Sequence, residues 1–213
     1  MKKFLLTIAF LLPALLMLAQ SDKYNAAMQQ QIGKIEGAFQ NGSFPDIANS
    51  FERIGDAEKT QWLPYYYASY CQVMSALIGT DKSKADALAD KADLLITKAE
   101  TIAGAPNSET NVIRSMIASA HMMVDPQSRW QQYGQVSATH IEKAKAMDPT
   151  NPRPVYLEGQ SKFYTPEAFG GGKAVAAPVF EKALTMFDVF KPASDIAPSW
   201  GKSSTQYFLA QCK

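Results

Sequence analysis

Histidine and cysteine are almost missing from this chain: its 213 residues include two of each, His121 and His140, Cys71 and Cys212. Two cysteines do not make a disulfide scaffold, and two histidines cannot build a histidine-rich metal centre. Neither sign of charge dominates, with 21 basic against 20 acidic residues and no basic run. A nucleic-acid partner therefore has no electrostatic footprint here. Alternating β-branched residues are scarce, which argues against strands. No serine or cysteine stands beside a plausible base, and the carboxylates are scattered over polar faces. Catalytic residues, and with them an enzyme, are not expected. Cys71 lies in an apolar stretch and reads as a small buried hydrophobe. "HMMVD" (121–125) offers thioether and imidazole groups that suit copper, but methionines at this spacing read as core filler. No metal site and no cofactor are expected.

Only one long hydrophobic run occurs. Lys2 and Lys3 precede an apolar stretch from Phe4 to Ala19, and polar sequence begins at Gln20. This is the order of a secretory signal, so residues 1–19 are expected to be removed. Residues 20–213 then form one domain, exported to the periplasm or secreted. No cysteine follows the run to accept a lipid, and no membrane insertion is expected after cleavage. Losing two lysines leaves the near-neutral balance one charge negative.

What remains is rich in Ala, Leu, Met, Lys and Gln, with apolar residues recurring three and four apart. The pattern predicts a first helix from Tyr24 through Phe39, closed by Asn41-Gly42. A short helix entered through Pro45 follows, then helices over Trp62–Leu77, Asp86–Ile102, Glu109–Met123 and on to Met147. Three more cover Val155–Tyr164, Lys173–Phe190 and Lys202–Cys212. Pro or Gly punctuates the short connections. The fold class is all-α, built from successive antiparallel hairpins.

Three of these helices share one spacing: a small residue, a bulky one four later, and Ala seven later. They are Ala92, Ile96, Ala99; Ser137, Ile141, Ala144; and Ala176, Phe180, Ala183. Small side chains let a neighbouring helix approach, and the bulky one fills the gap between them. With "IEKAKAMDPTNP" (141–152), this resembles the second helix of a tetratricopeptide repeat. The triplets are separated by 45 and 39 residues, against about 34 in that family. The resemblance implies an α-α superhelix of about four hairpins plus a C-terminal helix.

"TPEAFGGGKA" (165–174) invites a phosphate-binding reading. A P-loop needs a glycine five residues before its Gly-Lys pair, but Glu167 stands there, and Ala174 replaces the required hydroxyl. The glycines read instead as a hairpin corner carrying a short insertion, with Phe169 covering its end.

Aromatic residues carry the functional expectation. "WLPYYYASY" (62–70) holds four tyrosines, and neighbouring helical positions point about 100° apart. Some of its rings should therefore reach the surface or an interface. The repeat resemblance places Trp62, Tyr65, Tyr156, Phe163 and Tyr164 on the first helices of their pairs, facing the concave groove. Packing against the next repeat is the equal alternative. The resulting expectation is a non-catalytic binding or scaffold module that recognises a protein or peptide partner through that face. The alternative is a periplasmic small-molecule carrier using the same face.

Overall fold

The computed structural model describes residues 22–213, so the expected signal segment lies outside the described residues. Helix α1 runs to residue 32, followed by α2 (Ile35–Asn41), α3 (Phe44–Glu58), α4 (Leu63–Ile78), α5 (Ala85–Ala103) and α6 (Ser108–Met122). Then come α7 (Pro126–Met147), α8 (Pro152–Tyr164), α9 (Lys173–Val189) and α10 (Lys202–Cys212). The described residues contain no strand. The predicted elements are present with three departures: a turn at Gly33–Lys34 splits the expected first helix, the expected short second helix spans 15 residues, and 3-10 turns form at Lys82–Lys84 and Glu167–Phe169.

Local chemistry sets the boundaries. Asn107 Oδ1 accepts from the Thr110 amide, and Thr110 Oγ1 accepts from the Asn107 amide, both at 3.0 Å, a reciprocal capping box opening α6. Asp125 and Asn151 cap α7 and α8 by accepting from the Ser128 and Arg153 amides, each followed by a proline in the first turn. Gly42 and Gly104 close α2 and α5 in left-handed conformations.

Each helix from α3 onward packs on the next, and α4 also touches α6, as α6 touches α8. Helices α4, α6 and α8 thus form an inner row, and α5, α7 and α9 an outer one. This is an all-α superhelix. All nine residues of the three triplets are buried, which is how the outer helices approach the inner row so closely. Gly159 of α8 shows the tolerance: a Cβ there would lie 2.6 Å from the Phe180 ring of α9.

The glycine corner is structural, as its sequence implies. The Gly170, Gly171 and Gly172 amides donate to the carbonyls of Glu167, Pro166 and Lys162, so they are turned into the chain. Gly172 sits at φ 97°, where other residues are strained. Phe169 does not cover the hairpin end; it is exposed and stacks on the exposed Trp130 ring, 6.3 Å between centroids.

Candidate functional site

Of the rings in the tyrosine-rich stretch, Trp62 is half-buried and the four tyrosines are enclosed. Tyr65, Tyr66, Tyr67 and Tyr70 are all buried, because α4 is enclosed by α3, α5, α6 and a further segment of the chain. That segment, residues 190–201, leaves α9 and crosses the inner row without helical structure. Tyr67 Oη donates to the Ile196 carbonyl at 3.1 Å, and the Trp200 ring lies 4.6 Å from that of Tyr70. Trp200 Nε1 donates to Tyr66 Oη at 2.9 Å, and Tyr66 Oη donates to Glu109 at 2.9 Å. The face that the repeat resemblance offers to a partner is covered here by the chain itself.

Arg153 anchors this strap. Its side chain is 1% exposed, pairs with Glu109 at 2.7 Å, and donates to the Pro198 carbonyl at 2.9 Å. Asn151 Nδ2 donates to the same Glu109 carboxylate at 2.7 Å. Burial, with Glu109 alongside, drives the Tyr66 phenol well above its ordinary value, and burial raises the Cys71 thiol. Both cysteines are free, and Cys71 is held protonated in the core.

Of the five predicted site residues, Tyr156, Phe163 and Tyr164 meet around Phe208, whereas Trp62 and Tyr65 are not part of that cluster. Tyr65 is 2% exposed, its ring pressed over Gly55 and its hydroxyl donating to Asp56 at 2.7 Å. Tyr156 is 6% exposed and packs on Phe180 and Phe208. Neither ring presents a face to a ligand; for these two the packing alternative is the one the structure adopts, because their helices are enclosed. Phe163 is half-buried in the same aromatic cluster, and Tyr164 stands 69% exposed at its edge. Trp62, half-buried, meets Tyr66 edge-on and lines a depression of about 410 Å³ with Pro106 and Met147.

A second depression, about 420 Å³, opens between α5 and α7 over the outer face of α6. Its residues follow helical spacing: Asp90, Asp93 and Leu94 from α5; Arg114, Ile117, Ala118 and His121 from α6; Tyr133, Val136 and His140 from α7. Leu94 is 72% exposed, and Val136 is exposed beside it on the facing helix. Each set lies on one helical face, a spacing that the outer side of any amphipathic helix also shows.

The two ends of this groove differ. At one end, His121 Nδ1 meets Asp86 at 2.7 Å, Nε2 faces Asp90 at 3.6 Å, and the imidazole stacks on Tyr133 at 5.1 Å. Hydrogen bonds from Arg129, then from His121, hold the Asp86 carboxyl below its usual range. At the other end, His140 Nδ1 lies 2.8 Å from Asn111 Oδ1. The Asn111 amide nitrogen already donates to the Asn107 carbonyl and to Met147 Sδ, so its oxygen accepts and His140 Nδ1 carries the proton. Nε2 then bears the lone pair. Burial lowers the His140 pKa from its ordinary 6.5, and the positive charges of Lys143 and Arg114 push the same way. Arg114 is fixed by Asp93 at 2.7 Å and by Glu100, whose own carboxyl is held low by that contact against the opposing effect of burial. Among the described residues no cluster of three or more His, Cys, Asp or Glu side chains could hold a metal ion.

Comparison with known proteins adds one decisive likeness. The solved structure of the HusA haemophore from Porphyromonas gingivalis superposes with a TM-score of 0.79 at 35% sequence identity, over 89% of this chain and 92% of that one. The chain belongs to the HusA family. No family model matches it, and no curated protein matches it significantly. Membership bears on the earlier expectations. It agrees with the all-α superhelix and with a binding role. The expected protein or peptide partner is overturned, because the related protein is a haemophore, named for a small molecule. The carrier alternative fits the HusA family better than the scaffold reading. Among the described residues, no helix is long and apolar enough to cross a membrane.

Proposed function

We propose that this protein is a non-catalytic carrier of a haem-type tetrapyrrole, working outside the cytoplasm. The observation that carries this reading is the 35% identity to a haemophore along nearly the whole of both chains. The signal-like run at residues 1–19 supports export, and residues 20–213 then act as a single domain. The hairpin spacing supports a tetratricopeptide-like origin for the superhelix. A rigid all-helical frame with solvent-facing depressions suits a carrier, which must hold its ligand and also release it.

Titration of the mature protein with haemin tests the proposal. A saturable change in the Soret band and a rise in melting temperature are expected. At a free ligand concentration of about 100 times Kd, the stabilisation is about 2.7 kcal/mol. For a domain of this size that corresponds to roughly 5–10 °C. A spectrum equal to protein plus free haemin at every ratio, with an unmoved melting curve, refutes it.

A further inference from the structure

Resting on that carrier reading, we infer that the ligand's seat is the groove between α5 and α7. The ring lies against Leu94, Ile117 and Val136, and its acidic side arms point toward His140 and Lys143. Three observations converge on this placement. The groove holds about 420 Å³, within the range of small-molecule sites. Its rims carry aliphatic side chains on two facing helices, Leu94 and Val136, which are exposed without a packing partner to justify them. Burying that surface under a flat apolar ring recovers hydrophobic free energy that the unliganded protein forgoes.

The third observation is the polarity of the groove. Asp86, paired with Arg129, and Asp90, which has no cationic side chain of its own, flank His121 at one end. At the other end Arg114 is matched by Asp93 and Glu100, and the exposed Lys143, one turn beyond His140, supplies the positive charge. A planar ligand with carboxylates along one edge is thus oriented, its acids attracted to the His140 end and repelled from the His121 end. The competing surfaces lack this combination. The depression at Trp62 is bordered by Glu109 and Asp148. The cluster around Tyr164 presents rings but follows the edge of a packed core.

The test uses haemin and its dimethyl ester, which has the same ring without the acids. Leu94→Asp combined with Val136→Asp should weaken binding of both ligands by roughly a hundredfold. Both positions are exposed, so the melting temperature without ligand should hold. Lys143→Glu should weaken haemin roughly tenfold at low salt and leave the ester unchanged, which keeps the inference testable even if the double variant folds poorly. Tyr164→Ser with Tyr207→Ser, at the far aromatic cluster, should change neither. A wild-type chain that takes up no haemin overturns the carrier reading and the seat with it. A wild type that binds, with the α5–α7 variants binding equally well or the Tyr164 pair losing binding, overturns the seat alone.

Discussion

Replacing Glu109 by Gln would change almost nothing in shape and nearly everything in the balance of donors. The Glu109 carboxylate accepts from Arg153 Nε and Nη2, Asn151 Nδ2 and Tyr66 Oη, at 2.7 to 3.0 Å. Every partner is a donor, so a carboxylate satisfies all of them. A carboxamide must turn its NH2 toward one of them, losing that bond and setting donor against donor. It also leaves the Arg153 charge without its partner at a position that is 1% exposed. Breaking a buried ion pair from one side costs about 3–5 kcal/mol. For a domain of this length the melting temperature should fall by roughly 6–20 °C.

Urea unfolding followed by far-UV circular dichroism and tryptophan fluorescence gives the measurement, since Trp200 reports directly on the strap. The midpoint should drop with little change in m. Arg153→Met alone should also destabilise, because the Pro198 carbonyl loses its donor. The Glu109→Gln/Arg153→Met pair should cost clearly less than the two single changes added together, because removing the charge relieves the unpaired guanidinium. A loss below about 1 kcal/mol for Glu109→Gln, or strict additivity, refutes the claim that this pair fastens the strap to the inner row.

Three further outcomes follow from particular contacts. Gly159→Ala places a methyl 2.6 Å from the buried Phe180 ring and should cost about 1–3 kcal/mol in chemical denaturation. At the glycine corner, Gly172→Val, at φ 97° and with its Cβ 2.6 Å from Glu167 Cγ, should lower the melting temperature; Lys173→Ala next to it should stay within about 0.5 kcal/mol. Acidification should weaken the fold in two windows. The pKa of His140 is lowered on folding, so its contribution is present above 6.5 and fades as pH falls below that value through the folded pKa. The Glu100 pKa is also lowered, so its share is lost as pH falls below 4.5. Stability curves of His140→Gln and Glu100→Gln against pH should each lose the corresponding slope.

Most of the helical frame was legible because each cue was local. Caps at Asn107 and Asp125, prolines in first turns and the glycine C-caps fix boundaries from a few neighbouring residues. The small-bulky-Ala triplets also read correctly, since close helix packing leaves a spacing in one helix even when its partner is unknown. The strap was not legible. "KPASDIAPSW" has no period, and nothing local says that Ile196 and Trp200 find tyrosines more than a hundred positions earlier. Arg153 offered a weak hint, as an arginine between two prolines at a helix start, but its partner Glu109 lies 44 residues away. The candidate groove was hidden for a different reason. Leu94 and Val136 occupy outward faces where an isolated exposed apolar residue is common, and only the fold brings them to face each other.

The aromatic residues show how one unforeseen element closed the expected recognition face. A helix with four tyrosines on several sides must either expose some of them or be surrounded. Seen alone, α4 favoured exposure and hence a recognition face on the inner row. The strap supplies the missing wall: its Ile196 carbonyl accepts from the Tyr67 hydroxyl and its Trp200 indole donates to Tyr66, contacts that lower the cost of burying those groups. Once that face is closed, the inner helices can offer a ligand little beyond their ends, where Trp62 and Tyr164 emerge. Outer helices have no such cover. The small residues Ala92 and Ser137 draw α5 and α7 down onto the inner row, and the valley left between the two helices takes α6 as its floor. Small residues at the packing face and aliphatic ones at the rims are therefore two sides of one arrangement. It places a partly apolar groove between α5 and α7, lined by none of the residues that the strap touches.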